Sequence, residues 1–314
     1  MSTLARLSDM MIPPLYRVAE GHGSVRSFAV RDRVQKCLGV LSRATARDAR
    51  RAFDRATASD SSLGEVELTT LLSQYRQVHT RADRRSPADK AQARLKELIG
   101  RTNIARGQRA LDIGCGEGSV TAALAWRGVR TQGIDLVNQA TPLARKSPAQ
   151  FTQTDAHNTG LPGASFDLVY SFDTLEHVDD PTKVFDEAFR LLAPGGRFYA
   201  SFGPLYHSPH GAHQWMSVDV PYAHLLFDAE LLDATAARVG QRPMVKELNC
   251  WSLAKWRSLV AHMGTKLKLE VAIEKYNTAH TQLVSLFPSQ FKRRVTHFEE
   301  LIVRSIEVMG TKPF

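Results

Sequence analysis

The pattern of apolar and polar positions changes character at about residue 107. From there to residue 203, short apolar runs alternate with segments of helical spacing. The runs are Arg109–Ile113, Thr131–Leu136, Gln150–Thr154, Phe166–Phe172 and Arg197–Phe202, and the helical segments are Thr121–Arg127, Pro142–Lys146 and Thr182–Leu192. Strands that alternate with helices predict a parallel sheet covered on both faces. We therefore expect an α/β fold with a doubly wound, mostly parallel sheet.

The region before this core favours helices. Val25–Arg55 mixes apolar and basic residues without strand alternation, and Glu65–Gln77 has apolar residues close to helical spacing. Ser86-Pro87 followed by Asp89 is typical of a helix N-terminus, and this helix is predicted to run to Ile99, before Gly100.

The alternation stops after Gly203 and returns near the end. Ala229–Val239 and Leu253–Tyr276 have helical composition, whereas Leu301–Lys312 alternates like a strand. These changes predict four parts. They are a basic, mainly helical segment (1–85), a cofactor-binding core (86–203), a substrate cap (204–295) and a final strand region of the core (296–314).

The excess of basic residues is confined to the N-terminal part of the chain. Residues 1–106 contain 20 Lys and Arg against 11 Asp and Glu, and the remaining residues contain 21 of each, so the whole net charge of +9 is N-terminal. Such a segment could contact nucleic acid or an anionic surface, and it could equally be a solvated helical face or an arm that binds a partner.

The remaining composition indicates a soluble, cytoplasmic protein. No apolar run approaches the roughly 20 residues that span a bilayer, and the N-terminus lacks the pattern of a secretory signal. The cysteines Cys37, Cys115 and Cys250 are widely spaced and form no CxxC pair, which argues against a disulfide framework or a zinc ribbon.

A glycine-rich turn follows the first predicted core strand. In the sequence LDIGCGEG, Gly114, Gly116 and Gly118 occupy alternate positions before a predicted helix, where a backbone without Cβ atoms can approach a ligand closely. A dinucleotide-binding loop would place its third glycine at position 119, which is Ser119 here. The spacing therefore favours a nucleoside ligand that lacks a pyrophosphate.

Carboxylates follow the next two strands. Asp135 ends the second strand, where it could accept hydrogen bonds from ribose hydroxyls, and Asp155 follows the third, where it could accept from an adenine amine. Parallel strands bring these ends to one edge of the sheet.

These motifs, with GID, TDAHNTGLP and FDLVYSFDTLEHVDDPTKVFDEAFRLLAPGGRFYASF, resemble the class I S-adenosylmethionine-dependent methyltransferases, in particular the type 11 branch. The resemblance covers roughly residues 107–203 and implies S-adenosyl-L-methionine as the cofactor. It further implies cofactor-binding roles for Asp112, Gly114, Gly116, Gly118, Asp135, Leu136, Asp155, Ala156, Ser171 and Phe172. Asp112 would help place the amino group of the cofactor, with a strand-end turn as its alternative role. We interpret Glu176-His177 as structural residues at the mouth of the crevice.

The most unusual stretch follows the fifth strand and contains His207, His210 and His213 at intervals of three residues. Three interpretations remain open: a catalytic base that deprotonates the acceptor, a metal site, or a hydrogen-bonded loop with surface histidines. Ser208-Pro209 and Gly211 indicate a turn, which gives the imidazoles no rigid scaffold for a metal. We therefore expect no metal, and we expect one of these histidines to act as the base.

The sequence thus predicts an S-adenosylmethionine-dependent methyltransferase that acts on a small-molecule O or N acceptor. The alternatives are an RNA or protein methyltransferase that uses the basic N-terminal segment, and a non-catalytic cofactor-binding protein.

Overall fold

The computed structural model describes residues 43–75, 86–213, 218–238, 240–241 and 248–314. These residues form two compact units. The sheet unit comprises the described parts of Arg85–Tyr206, Glu247–Lys275 and Ser305–Phe314, and the helical unit comprises those of Met1–Arg84, His207–Lys246 and Tyr276–Arg304. The predicted range 204–295 therefore contributes to both units.

The sheet unit is built on seven strands in the order β3-β2-β1-β4-β5-β7-β6. The strands are β1 (Arg109–Ile113), β2 (Arg130–Asp135), β3 (Gln150–Gln153), β4 (Phe166–Phe172), β5 (Leu192–Phe202), β6 (Lys268–Tyr276) and β7 (Val303–Thr311). Strands β1 to β5 pair in parallel, and β7 pairs antiparallel with β5. The predicted doubly wound, mostly parallel fold is confirmed.

The helices follow the strands in the order expected for this fold. They are α1 (residues 43–55), α2 (Glu65–Tyr75), α3 (Pro87–Thr102), α4 (Ser119–Trp126), α5 (Pro142–Arg145), α6 (Pro181–Leu191), α7 (Ala223–Leu226), α8 (Ala229–Arg238), α9 (Leu253–Lys266), α10 (Gln282–Leu286), α11 (Pro288–Arg294) and α12 (Glu299–Ile302). A 3₁₀ turn, Leu175–His177, follows β4. Of the predicted helix Val25–Arg55, residues 25–42 lie outside the described residues.

Helix α3 begins where the sequence predicts. The Ser86 side chain accepts a hydrogen bond from the Asp89 backbone N–H, and the Asp89 side chain accepts from the Ser86 backbone N–H. This reciprocal cap satisfies two donors that the first helical turn leaves unpaired. The helix passes Gly100 and ends at Thr102, because Asn103 adopts the left-handed conformation (φ 49°) that closes the last turn.

The two faces of the sheet are covered by different helices, as the period of two along a strand requires. On one face, α3 and α4 pack against a buried cluster that includes Tyr170 and Tyr199. On the other face, the Phe198 ring meets Phe185 of α6.

The C-terminal part of the predicted cap differs from expectation. The predicted helical stretch Leu253–Tyr276 ends as a helix at Lys266, and Lys268–Tyr276 is strand β6. In this segment the apolar residues Leu269, Val271 and Ile273 alternate with polar or small ones, and such alternation favours a strand over a helix. The predicted last strand is confirmed as β7.

The helical unit has a core of its own. Its large apolar side chains bury almost all of their surface, and Phe53, Tyr222 and Phe291 each expose at most 1%. The Tyr222 ring meets the Phe291 ring edge to face, and the Tyr222 hydroxyl donates to the Leu301 carbonyl at 2.9 Å. Among the described residues, no helix is long and apolar enough to cross a membrane.

Candidate functional site

The carboxyl ends of the parallel strands bring the predicted cofactor residues to one edge of the sheet. Ile113 of β1 is in register with Ile134 of β2 and with Ser171 of β4, and Asp135 is in register with Gln153 of β3. The glycine turn, the Asp135 carboxylate and the start of the Asp155 loop therefore follow neighbouring strand ends. Ligands of doubly wound sheets bind in the crevice at this edge.

The glycine turn after β1 requires glycine for two separate reasons. Gly114 has φ 73°, and a Cβ atom there would lie 2.2 Å from the Thr174 hydroxyl oxygen. Gly116 has φ 50°, and a Cβ atom there would meet nothing within 4 Å. Gly114 thus lets the loop pack on the turn after β4, whereas Gly116 borders open space that a ligand can occupy.

The Asp135 carboxylate lies beside this loop. Its Oδ2 accepts from the Gly116 backbone N–H at 2.9 Å, and its Oδ1 accepts from the Val137 backbone N–H at 3.1 Å. Each carboxylate oxygen has a second lone pair, so Asp135 is held in place and retains capacity to accept from hydroxyl groups. The neighbouring Leu136 side chain is 63% exposed, which places an apolar surface next to the carboxylate.

Asp112 lies beneath the loop. It is 4% exposed, and its Oδ2 accepts from the Thr121 hydroxyl at 2.6 Å. Burial raises the pKa of Asp112 to about 6, while the hydrogen bond from Thr121 and the charge of Arg94 act in the opposite direction. The side chain ties β1 to α4, and its predicted contact with the cofactor stays a prediction.

The Asp155 carboxylate after β3 is engaged by its neighbour. Oδ1 accepts from the His157 backbone N–H at 2.8 Å and lies 2.7 Å from Nδ1 of the His157 ring. These hydrogen bonds, the backbone one first, lower the pKa of Asp155. The carboxylate is thus ionised at neutral pH and half exposed at the crevice edge, beside Ala156.

Ser171 and Phe172 are buried at the end of β4. The Ser171 hydroxyl donates to the Ile113 carbonyl at 2.8 Å, which joins β4 to β1. The Phe172 ring is 8% exposed and lies 5.5 Å from the Tyr199 ring. Both side chains are buried, and their predicted contact with the cofactor stays a prediction.

Glu176 lies in the 3₁₀ turn after β4, and its side chain is almost completely buried. Its exposure is 2%, Oε1 accepts from the Gly203 backbone N–H at 2.9 Å, and Oε2 has no hydrogen-bond partner among the described residues. Burial, with the charge of Asp173, raises the pKa of Glu176 to about 8. Glu176 is therefore largely protonated at neutral pH, and it links the ends of β4 and β5.

Arg94 is a residue of the site that the sequence did not indicate. It lies on α3, its guanidinium pairs with the Asp173 carboxylate, and it stands 5.4 Å from the centre of the Phe172 ring. Its positive charge acts on the buried carboxyls of Asp112 and Glu176. A partly exposed cation thus lies at the end of β4.

The three predicted histidines belong to the helical unit. His207 Nδ1 lies 3.2 Å from Glu300 Oε2, and His210 Nδ1 lies 3.9 Å from Asp219 Oδ1. His213 has φ 53°, and its backbone N–H donates to the His210 carbonyl at 2.9 Å. The loop is a turn, as Ser208-Pro209 and Gly211 indicate, and its histidines have different partners. The expected role of one of them as the base stays a prediction.

Comparison with known families supports the family expected from the motifs. Residues 111–200 match a family model described as "Methyltransferase domain". This range contains the end of β1, all of β2 to β4, most of β5, and every predicted cofactor residue. The resemblance to the type 11 methyltransferases is confirmed.

Curated relatives match over the same region. A ubiquinone biosynthesis O-methyltransferase of Pseudomonas fluorescens is 36% identical over 116 residues, which are 34% of this chain and 49% of that protein. An S-adenosyl-L-methionine-dependent Diels-Alderase of Talaromyces variabilis is 32% identical over 127 residues, which are 36% of this chain and 42% of that protein. The chain thus spans about half, or less, of the length of these relatives.

A solved structure extends the likeness in fold. The PH0226 protein of Pyrococcus horikoshii superposes with a TM-score of 0.50 at 18% sequence identity, over 76% of this chain and 98% of that protein. At this level of identity the likeness concerns the fold.

Proposed function

We propose that this chain, whose residues 111–200 belong to the family of S-adenosylmethionine-dependent methyltransferases, transfers a methyl group from that cofactor to an oxygen or nitrogen atom of a small molecule. One observation carries the proposal. The open space at Gly116 and the Asp135 carboxylate lie side by side at the carboxyl edge of the parallel sheet. This is the edge at which doubly wound folds bind nucleosides.

The residues of the crevice fit the chemical groups of S-adenosylmethionine. Asp135 would accept from the ribose hydroxyls, and the exposed Leu136 would cover one face of the adenine. Asp155, ionised and half exposed, would accept from the exocyclic amine of adenine. The open side of Gly116 leaves room for the methionine portion.

Arg94 completes this set on the other side of the loop. The α-carboxylate of the methionine portion needs a cation, and Arg94 places a guanidinium at the end of β4. In the structure this guanidinium pairs with Asp173, so the cofactor carboxylate would share or replace that partner. Arg94 would thereby fix the orientation of the methionine chain.

The cofactor supplies a methyl group on a positively charged sulfur, which leaves as a neutral thioether and needs no acid. The protein therefore has two tasks: to align the acceptor atom and to remove its proton. A histidine of the loop His207–His213 would remove the proton. The O-methyltransferase name of the relative supports an oxygen acceptor.

A second candidate function rests on helix α1. Arg43, Arg47, Arg51 and Arg55 are all exposed and follow one another at intervals of four residues, so they share one face of the helix. Arginines in a row suit the phosphates of a nucleic acid. This face of α1 supports an RNA methyltransferase as the alternative function. A third candidate is a reaction other than methyl transfer, because one of the relatives is named a Diels-Alderase.

The experiment that tests the proposal uses cofactor labelled in its methyl group. The full chain is incubated with fractionated extract of its host, and label is followed into metabolites, RNA and protein. We expect the unaltered protein to label a metabolite and the Asp135→Ala variant to leave that metabolite unlabelled. Label in RNA, with salt-sensitive binding that Arg47→Gln/Arg51→Gln weakens, would favour the alternative. Tight cofactor binding without transfer to any fraction would contradict both.

A further inference from the structure

The loop that follows β3 and carries Asp155 is attached to helix α6 at two points. The Asp180 backbone N–H, at the start of α6, donates to Nε2 of the His157 ring at 3.4 Å. The Thr159 backbone N–H donates to Oε1 of Glu187 at 3.0 Å. All of these residues belong to the sheet unit, so the loop is held by contacts made within one unit.

His157 holds the Asp155 carboxylate with its backbone and with its ring. The His157 backbone N–H donates to Oδ1 of Asp155 at 2.8 Å, and Nδ1 of the ring lies 2.7 Å from the same oxygen. Rotation of the carboxylate would lengthen both of these hydrogen bonds. The Asp155 side chain is 55% exposed, against 25% for that of His157. The carboxylate is thus oriented by the ring and remains accessible to a ligand.

Both ring contacts of His157 require the same protonation state of the imidazole. A carboxylate only accepts hydrogen bonds, so the ring proton lies on Nδ1, toward Asp155. Nε2 accepts from the Asp180 N–H, so it carries no proton. The neutral tautomer with its proton on Nδ1 therefore satisfies both neighbours and joins Asp155 to the start of α6.

The orientation of Asp155 matters because nucleoside bases differ in what they offer to a carboxylate. Adenine presents an exocyclic amine, which donates. Hypoxanthine has an oxygen in place of that amine and a hydrogen on the neighbouring N1. A carboxylate that can rotate can accept from this N1–H, whereas a fixed carboxylate is left facing a second acceptor. A site built to receive a donor rejects the analogue without it, because its polar group then loses its partner.

We propose that His157 is a positioning residue that makes the cofactor site specific for adenine, by holding the Asp155 carboxylate toward the exocyclic amine; this rests on the proposed function. Asp155 accepts from the amine, and His157 acts through Asp155. The attachment of the His157 ring to α6 keeps the ring, and through it the carboxylate, in one orientation.

The first measurement is calorimetry with S-adenosylhomocysteine and with its analogue that has hypoxanthine in place of adenine. The unaltered protein should bind the adenine compound about 10- to 100-fold more tightly, as expected for a hydrogen bond to a charged group. His157→Ala should lower this preference by about 3- to 10-fold, a coupling typical of two side chains in contact. A merely structural defect would weaken both ligands equally. Asp155→Ala should abolish the preference, and adding His157→Ala to it should change nothing further.

Two isosteric replacements separate the two contacts of the ring. In His157→Asn the amide nitrogen takes the place of Nδ1 and can still donate to Asp155, so the preference for adenine should be retained. In His157→Gln the amide oxygen takes the place of Nε2 and can still accept from the Asp180 N–H, but the donor to Asp155 is lost. The preference should therefore fall as in His157→Ala. The opposite order would overturn the proposal, because the attachment to α6 would then decide the preference without the contact to Asp155.

His262→Ala is the matched control. Nε2 of His262 also lies 2.7 Å from a carboxylate oxygen, Oδ1 of Asp186, but this pair joins α9 to α6, so the preference for adenine should be unchanged. An undiminished preference in His157→Ala and His157→Gln would overturn the role of His157 alone. Equal affinity of the unaltered protein for both ligands would overturn the adenine contact of Asp155 and with it the role of His157. No binding of S-adenosylhomocysteine would overturn the proposed function itself.

Discussion

The raised pKa of Glu176 makes a quantitative prediction about stability. The pKa is about 8 in the folded protein, against an ordinary value of 4.5, because the carboxyl is buried and Oε1 alone has a hydrogen bond among the described residues. Between these two values the folded state holds a proton that the unfolded state has lost. The stabilisation is therefore complete below the ordinary pKa and is lost as the pH rises through about 8.

Glu176→Gln removes this dependence, since an amide stays neutral and its oxygen can still accept from the Gly203 N–H. The free energy of unfolding of the variant, relative to the unaltered protein, should rise by about 1.4 kcal/mol per pH unit. From about pH 5.5 to 7.5 the gain is roughly 3 kcal/mol, or about 6–12 °C in Tm for a domain of this size.

The assay is thermal or urea unfolding of both proteins at several pH values, followed by tryptophan fluorescence. Trp256, which packs on Phe202 of the same unit, is a suitable reporter. Glu187→Gln is the matched control. Hydrogen bonds from Arg190 lower the pKa of Glu187 to about 2, so its replacement should cost the same stability across this pH range. A Glu176→Gln difference that also stays constant with pH would refute the reasoning.

Three further predictions concern the crevice. Asp135→Ala should weaken binding of the cofactor and of its demethylated product by about 1.5–3 kcal/mol in calorimetry, with folding intact, because hydrogen bonds to a charged acceptor are lost; an unchanged Kd would place the ribose elsewhere. Gly114→Ala should destabilise the fold by roughly 2–4 kcal/mol through its contact with Thr174. Gly116→Ala should cost about 1–2 kcal/mol in stability, and it should weaken cofactor binding more than Gly114→Ala does. Equal effects of the two replacements on cofactor binding would contradict the open space at Gly116. Arg94→Gln should weaken binding of S-adenosylhomocysteine and leave that of methylthioadenosine, which lacks the carboxylate, unchanged; equal losses for both ligands would remove Arg94 from that role.

The parts of the site that the sequence predicts are those set by local pattern. The glycine turn follows β1 directly, and Asp135 ends β2, so strand ends and glycines suffice to bring them to one edge. The partners of Arg94 and His207 are not predictable in this way. Asp173 lies 79 residues beyond Arg94 in the sequence, and the contact exists only because α3 packs over the end of β4. Glu300, which lies beside His207 in the folded unit, is farther still from it in the sequence.

The strands likewise divide into those that the local sequence pattern predicts and one that it does not. The bounds of β1 and β4 are as predicted, because buried strands between turn residues have a strong pattern. Strand β6 was missed, since its alternating residues Leu269, Val271 and Ile273 follow a helix without a glycine or proline between them. The raised pKa of Glu176 also depends on burial, which a short motif does not reveal.

The position of β7 in the sheet has a consequence for folding during synthesis on the ribosome. Strand β6 is at the edge of the sheet, and its neighbour is β7, which comes later in the sequence and lies between β6 and β5. Glu307 of β7, 1% exposed, binds both Arg101 of α3 and Lys275 of β6. On the ribosome, β1 to β5 can pair as they emerge, but β6 must wait for residues 303–311. During that interval β6 and the buried face of α9 are exposed to chaperones and proteases, and premature termination in this region would release a protein with an open sheet edge.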